Sequence, residues 1–421
     1  MSIGLEFYAK VRSKDSLIER AEALAGELDY GLGIGENGLR FVLCPAGGDL
    51  YMTWKRDDTL SEWWTIEGDC QSTPAGPGFH KAAVELLDRM GFEKLAVYDE
   101  TDYYEQRDFE QMKTNHFYPW LGTLVNVCNK ETDLSSFRIC WDMNQYAPED
   151  VENAIVTPMG RFDIAEMLDM VNEEGIEAFA ELFFVWLSPE RDARFYRNRA
   201  LNALWEDCCF TFSYRSDRDA SINTSILDDL EKAAELDPDL PLPRASYYEL
   251  CDLSEREPML PPGPELEYSF EIGYRKGLIT HLFGELNLTL PGSYMYEWEE
   301  YDDGGGTNMW WDPSIDSPIW RITGYPKNAG NAEFTPHLSD LNDLAEDEIQ
   351  GGRIRWGWTE LEENGEPFYQ VQCEVISGPS LYYISVSYTN PEELYDIEEL
   401  IEKLSVQSRN VDEKRTIYTE E

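Results

Sequence analysis

Apolar and polar positions alternate in short runs at both ends of the chain and recur at helical spacing through its middle. Ile3 to Val11 reads as a strand. Asp15 to Leu28 reads as a helix, with Leu17, Ala21, Leu24 and Leu28 on one face. Three short strands follow, at Leu39–Leu43, Leu50–Trp54 and Trp63–Ile66, separated by Gly47-Gly48 and Asp57-Asp58. After the loop Pro74–Gly78, a helix carries Phe79, Ala82, Ala83, Leu86, Leu87 and Met90 inward and ends at Gly91. A further helix is expected from Tyr104 to Val127.

The C-terminal end repeats this plan. A helix is expected near Leu338–Ala345, then a strand through Ile354, Trp356 and Trp358, an Asn364-Gly365 hairpin turn, and strands Tyr369–Val375 and Tyr382–Tyr388. Asn390-Pro391-Glu392-Glu393 opens a final helix whose stripe is Leu394, Ile397, Leu400, Ile401 and Leu404. Residues 330–421 thus hold an apolar face with its covering helix, and are expected to fold as a fragment.

The middle reads as mainly helical: Ser188-Pro189-Glu190 opens a helix to about Glu206, and Ile226–Leu236 and Ser246–Leu253 are two more. Leu230–Pro238 resembles the closing helix of a tetratricopeptide repeat, but occurs once and without the Trp/Gly/Tyr half of that pattern. Arg256–Pro264, with four prolines, reads as a linker. The expected fold is α+β, two antiparallel-meander-plus-helix domains flanking a mainly helical region. The expected boundaries are 1–130, 131–262 and 263–421.

Charge alters the functional picture most. The chain has 83 Asp and Glu against 34 Lys and Arg, a formal net charge of −49 over 421 residues. The excess is spread along a chain with 13% aromatic residues, so it belongs to folded surfaces rather than a disordered tail. Such a field disfavours nucleic acid and anionic membranes as partners and favours a basic protein. It also fits adaptation to high salt.

The eight cysteines contain no CxxC, and the only close pair is Cys208-Cys209, so neither a zinc site nor a disulfide framework is expected. Met1–Glu6 has no signal-peptide character and no stretch is apolar enough to span a membrane. The expectation is a soluble, reduced, cytoplasmic protein without metal or cofactor.

No motif fixes a reaction. HExxH, GxSxG and EF-hand patterns are absent, and His80, His116, His281 and His337 stand apart as structural residues. The loop and helix start at Gly78, His80 and Lys81 offer amides and cations for an anion, though this is not a Walker A loop. Arg191, Arg194, Arg197 and Arg199 form a basic island expected to pair with the chain's own carboxylates. The segment Tyr294–Asp312 interleaves aromatics and carboxylates around glycines. Tyr296, Trp298, Tyr301, Asp302, Asp303, Trp310, Trp311 and Asp312 are its candidate partner-binding residues, by cation–π contact and ion pairing.

In overall character the chain resembles the acidic, motif-poor immunity and antitoxin-like proteins of bacteria. That resemblance implies a non-enzymatic protein that neutralises a basic partner by surface complementarity. The alternative is a hydrolase using carboxylates near Glu297–Asp312 on carbohydrate.

Overall fold

Strand β1 (Gly4–Val11) turns Leu5, Phe7, Ala9 and Val11 into a core and leaves Glu6, Tyr8 and Lys10 on the opposite face. The computed structural model describes residues 2–44, 48–56, 62–130, 137–140, 153–267, 272–300, 306–313, 316–326, 330–363 and 365–406. Helix α1 (Lys14–Leu28), capped by the Ser13 side chain, brings Leu17, Ala21, Leu24 and Ala25 onto that core. Strands β2 (Gly31–Ile34), β3 (Gly38–Val42), β4 (Asp49–Arg56) and β5 (Trp64–Gln71) form an antiparallel meander. Helix α2 (Pro77–Arg89) covers the inner face, ending where Gly91 adopts φ +71°. Strand β6 (Lys94–Asp99) then pairs with β1, giving the order β2-β3-β4-β5-β1-β6.

Two of these strands are absent from the sequence reading. In β2, Gly31 and Gly33 leave no side chains to show alternation, and β6 has only Leu95 and Val97 as large inward residues. The single helix expected over Tyr104–Val127 is corrected to α3 (Tyr103–Gln106), α4 (Phe109–Met112), a π-turn at Lys113–Phe117 and α5 (Tyr118–Cys128). Arg107 takes φ +54°, which stops α3, and the Asp108 side chain caps α4 anew.

Among the described residues the central region holds a small sheet, β7 (Phe137–Arg138), β8 (Ala154–Thr157) and β9 (Gly160–Asp163), and five helices. These are α6 (Ile164–Glu174), α7 (Ile176–Phe183), α8 (Ala193–Glu206), α9 (Asp217–Leu236) and α10 (Arg244–Leu253). Helix α8 starts after Ser188-Pro189-Glu190, because the Asp192 side chain is the cap. The apolar core that begins at Ile3 continues through this region to Leu260.

A second core lies between two sheets. The smaller comprises β10 (Leu278–Phe283), β11 (Leu286–Pro291) and the late strand β19 (Ser405–Val406). The larger comprises β12 (Met295–Glu300), β13 (Gly306–Trp311), β14 (Ile319–Pro326), β15 (Asn342–Ile349), β16 (Gly352–Glu363), β17 (Glu366–Ser377) and β18 (Ser380–Tyr388). Helix α11 (Leu394–Ile401) packs on the inner face through Ile397 and Ile401. The helix expected at Leu338–Ala345 is instead a 3₁₀ turn, Pro336–Asp340, followed by β15, whose acidic residues lie opposite Arg353 and Arg355 of β16.

The molecule is therefore an α+β protein with sheet-rich ends and a helical middle. In both large sheets a four-strand meander (β2–β5, β15–β18) is joined at its last strand by the strand that precedes it in sequence, β1 or β14. The crossovers differ. Helix α1 crosses the inner face, whereas the segment before β15 crosses the outer face, where Thr335 bonds buried Glu374 and Phe334 stacks under Arg355. Among the described residues, the outer face of the N-terminal sheet is open to solvent.

Candidate protein interface

The hairpin β12–β13 divides the expected binding segment between core and surface. Trp310 is 1% exposed, with its ring 5.9 Å from His281 and 5.3 Å from Tyr296. Asp312 is 2% exposed and its Oδ2 lies 3.1 Å from Arg215 Nη2. Neither side chain reaches a partner, which corrects their assignment; a tryptophan opposite Trp320 on the inner face of a two-sheet core has no route to the surface. Trp311 is half-buried on the outer face. Trp298 is 51% exposed, and Tyr296 donates its hydroxyl to Asn308 Oδ1 at 2.9 Å. Tyr301, Asp302 and Asp303 lie outside the described residues.

Gly78, His80 and Lys81 have partners within the chain. The Gly78 amide donates to the Trp186 carbonyl at 2.9 Å, and a Cβ at Gly78 would stand 2.1 Å from the Trp186 ring. Lys81 Nζ lies 2.9 Å from Glu85 and 3.5 Å from Glu190. His80 is fully buried, with Nδ1 2.8 Å from Ser72 Oγ and Nε2 3.0 Å from Asp99 Oδ1. The helix start is thus sealed by segment 184–190, and an anion has no access to it.

Asp99 also accepts from the Thr101 and Tyr104 amides at 2.8 and 2.7 Å. Burial alone would raise its carboxyl. The hydrogen bond and charge of His80, with those two amides, outweigh burial and hold the group well below the usual carboxylate range. The line Ser72–His80–Asp99 contains the residue types of a nucleophilic triad, but Ser72 is 0% exposed, so no substrate carbonyl meets its hydroxyl. Its work is structural: it ties the loop before α2 to the end of β6.

The basic island is spent internally. Arg191 donates to the Leu28 carbonyl and stacks 4.5 Å over Tyr30, Arg194 pairs with Glu181, buried Arg197 bonds Asn198, and Arg199 makes a two-pronged pair with Asp229 of α9. Among the described residues no cluster of three or more His, Cys, Asp or Glu is placed to hold a metal ion.

The open face of the N-terminal sheet is where aromatics and charges meet solvent together. Tyr8, Tyr51 and Tyr98 are 56%, 47% and 67% exposed. Register sets them in rows across the strands. Arg40, Tyr51, Asp69, Glu6 and Tyr98 follow one another across β3, β4, β5, β1 and β6, and the next row runs Thr53, Glu67, Tyr8 and Ala96. A third row, Lys55, Thr65, Lys10 and Lys94, lies toward the far end of the strands. Glu67 lies 2.8 Å from Lys55, and Asp49 is flanked by Arg40 at 3.5 Å and the Tyr51 hydroxyl at 3.2 Å. Burial and neighbouring Glu6 push the Asp69 carboxyl upward, so a cation docked between the two would relieve their repulsion. Positive and negative side chains are near balance here, on a molecule that is otherwise strongly acidic. Sequence reasoning misses this face because its three tyrosines come from three strands far apart in the chain, and no local run marks them.

No known protein family and no curated protein matches this sequence. Solved structures share only limited likeness. One is a protein from Bacteroides thetaiotaomicron VPI-5482, 15% identical, covering 30% of this chain and 50% of its own, with a TM-score of 0.21. Another is LpqN, involved in cell envelope biogenesis of Mycobacterium tuberculosis, 14% identical over 29% of this chain and 83% of its own, with a TM-score of 0.20. The present chain thus spans half the length of the first, and likeness at these scores carries no functional argument.

Proposed function

We propose that this protein binds a basic protein partner in the manner of immunity and antitoxin-like proteins, docking it on the open face of β1–β6. One observation carries the reading: three exposed tyrosines share one sheet face with a near-balanced set of charges, inside a molecule of net charge −49. Tyrosine supplies large contact area at low entropic cost, and interface centres are poor in unbalanced charge. The surrounding acidity steers a cationic partner to that face and speeds encounter at low salt. Glu6 and Asp69 would receive its lysines or arginines, with Tyr98 and Tyr51 beside them for cation–π contact.

A reducing, cytoplasmic setting is part of this proposal. All eight cysteines are free thiols, and burial pushes those of Cys44, Cys70, Cys128 and Cys208 up to about 12. No helix among the described residues is long and apolar enough to cross a membrane.

The test compares immobilised wild type with a Tyr8→Ser/Tyr51→Ser/Tyr98→Ser variant. A basic protein from the source cell retained by the wild type, released by salt and lost by the variant supports the proposal. Equal retention by both would remove the face from consideration.

A further inference from the structure

Asp69 of β5 and Glu6 of β1 stand directly opposite each other in register on the open face, with Tyr51 of β4 beyond the one and Tyr98 of β6 beyond the other. Side chains so placed have Cβ atoms about 5 Å apart, and like charges there are destabilising. Among the described residues neither of these two carboxylates is in an ion pair. Elsewhere the fold shows which cation it sets between a carboxylate and an aromatic ring. Arg355 Nη2 lies 3.2 Å from buried Glu374 Oε2, while its Cζ stands 4.8 Å over the Phe334 ring. Arg199 forks onto Asp229, while its Cζ stands 5.3 Å over Phe195 and 5.4 Å over Tyr196. Lysines that also meet both, Lys113 with Glu110 and Phe109 and Lys276 with Glu249 and Phe210, hold carboxylates whose side chains stay 69% and 44% exposed. Hydration explains the difference. A guanidinium is more weakly hydrated than an ammonium, and its planar fork keeps several donors aligned while a ring covers its face.

Resting on the docking proposal above, we infer that the row Tyr51, Asp69, Glu6 and Tyr98 reads arginine in preference to lysine. A partner arginine lies across β5 and β1, its guanidinium donating to Asp69 and Glu6 together and its plane against the Tyr98 ring, with Tyr51 closing the other end of the row. A partner seated on the face takes both carboxylates out of water, and that is the setting in which Arg199 and Arg355 serve Asp229 and Glu374. One bound guanidinium also relieves the repulsion between two carboxylates that the register holds side by side. Lysine meets the same charges as a compact, strongly hydrated ammonium, which loses more water on entering the row and covers less of the ring. The face therefore selects among basic partners by the kind of cation they carry, beyond the general attraction of an acidic molecule.

The experiment uses the full chain and two dye-labelled peptides of one length and one net charge, with arginines in the first wherever the second has lysines. Anisotropy titrations at low salt compare wild type with a Glu6→Gln/Asp69→Asn variant. Expected is about tenfold tighter binding of the arginine peptide by the wild type, a preference that shrinks to about twofold or less in the variant. Equal affinity of the wild type for both peptides overturns the inference, and so does a preference that survives in the variant. Both substituted side chains are exposed, and a far-ultraviolet spectrum verifies that the variant is folded. The Tyr8→Ser/Tyr51→Ser/Tyr98→Ser variant separates the two proposals. If it loses both peptides while the wild type binds them equally, the docking face stands and the arginine reading falls. If it binds both as the wild type does, the docking face itself fails.

Discussion

His80 Nε2 and Asp99 Oδ1 lie 3.0 Å apart between the first turn of α2 and the last residue of β6, both side chains closed off from solvent. With Asp99 ionised, Nε2 donates to it, and Nδ1 shares a hydrogen bond with the Ser72 hydroxyl. The pair fastens a helix to the edge strand of the sheet whose other face is open.

Asp99→Asn should therefore cost about 3–5 kcal/mol at neutral pH, the usual consequence of removing one partner of a buried charged pair. The folded carboxyl titrates below the unfolded one, so its contribution is complete above about pH 3.9 and is lost as pH falls through the folded value. Urea unfolding at neutral and acid pH measures this. A gap between wild type and variant that fails to narrow in strong acid contradicts the assignment.

Trp310→Ala and Trp298→Ala make a matched pair on one hairpin. The first empties a site in the second core and should cost about 3–5 kcal/mol. The second trims a half-exposed ring at the sheet edge and should stay within about 0.5 kcal/mol. Melting temperatures of the two variants decide it, and similar losses at both would argue against the burial described.

Arg275 joins the central helices to the C-terminal sheets. Its guanidinium, buried, donates to the carbonyls of Gly292, Glu206 and Asp207 at 2.9, 3.0 and 3.2 Å, serving the carbonyl end of α8. Arg275→Met should lose about 1.5–3 kcal/mol for each charged hydrogen bond left unmade, less what water recovers. Hydrogen exchange should show faster opening near Cys209 and Gly292, and unchanged protection there counts against a clamp.

Residues 330–421 should fail to fold alone. That fragment strips β18 of its partner β14 and removes Leu286, Leu288, Leu290, Trp310, Trp320 and Ile322 from the core that α11 covers. Circular dichroism of the fragment is the measurement, and a cooperative melt would show that the three-strand face suffices.

Added salt should stabilise the whole chain. Screening shortens the reach of charge to about 8 Å at physiological ionic strength, which relieves the self-repulsion of a net −49. Denaturation midpoints should rise or hold between low and physiological salt, while partner affinity falls. A steady loss of stability would mean that attractive pairs such as Arg199–Asp229 outweigh the repulsion.

Alternation and capping residues decided much of the architecture by themselves. Leu5, Phe7, Ala9 and Val11 on one side of β1, the stripe of α2 ending at Gly91, the hairpin of β16 and β17, and the Asn390 cap before α11 are all legible because each depends on neighbours within a few residues. The pairing of Arg194 with Glu181 and of Arg199 with Asp229 was legible too, from the sheer excess of carboxylates, whereas the turn of Arg191 to the Leu28 carbonyl and the Tyr30 ring was not. Tertiary structure alone decided the rest. It turned the acidic stretch after Leu341 into a strand, because Arg353 and Arg355 stand opposite it. It buried Trp310 and Asp312 by setting a second sheet and Arg215 against them, although their local sequence reads like exposed Tyr296 and Trp298. It sent α1 across the inner face of the N-terminal sheet, and so gathered Tyr8, Tyr51 and Tyr98 on an open surface. Which face of a sheet remains exposed depends on where its crossovers run, and no periodicity within a strand records that.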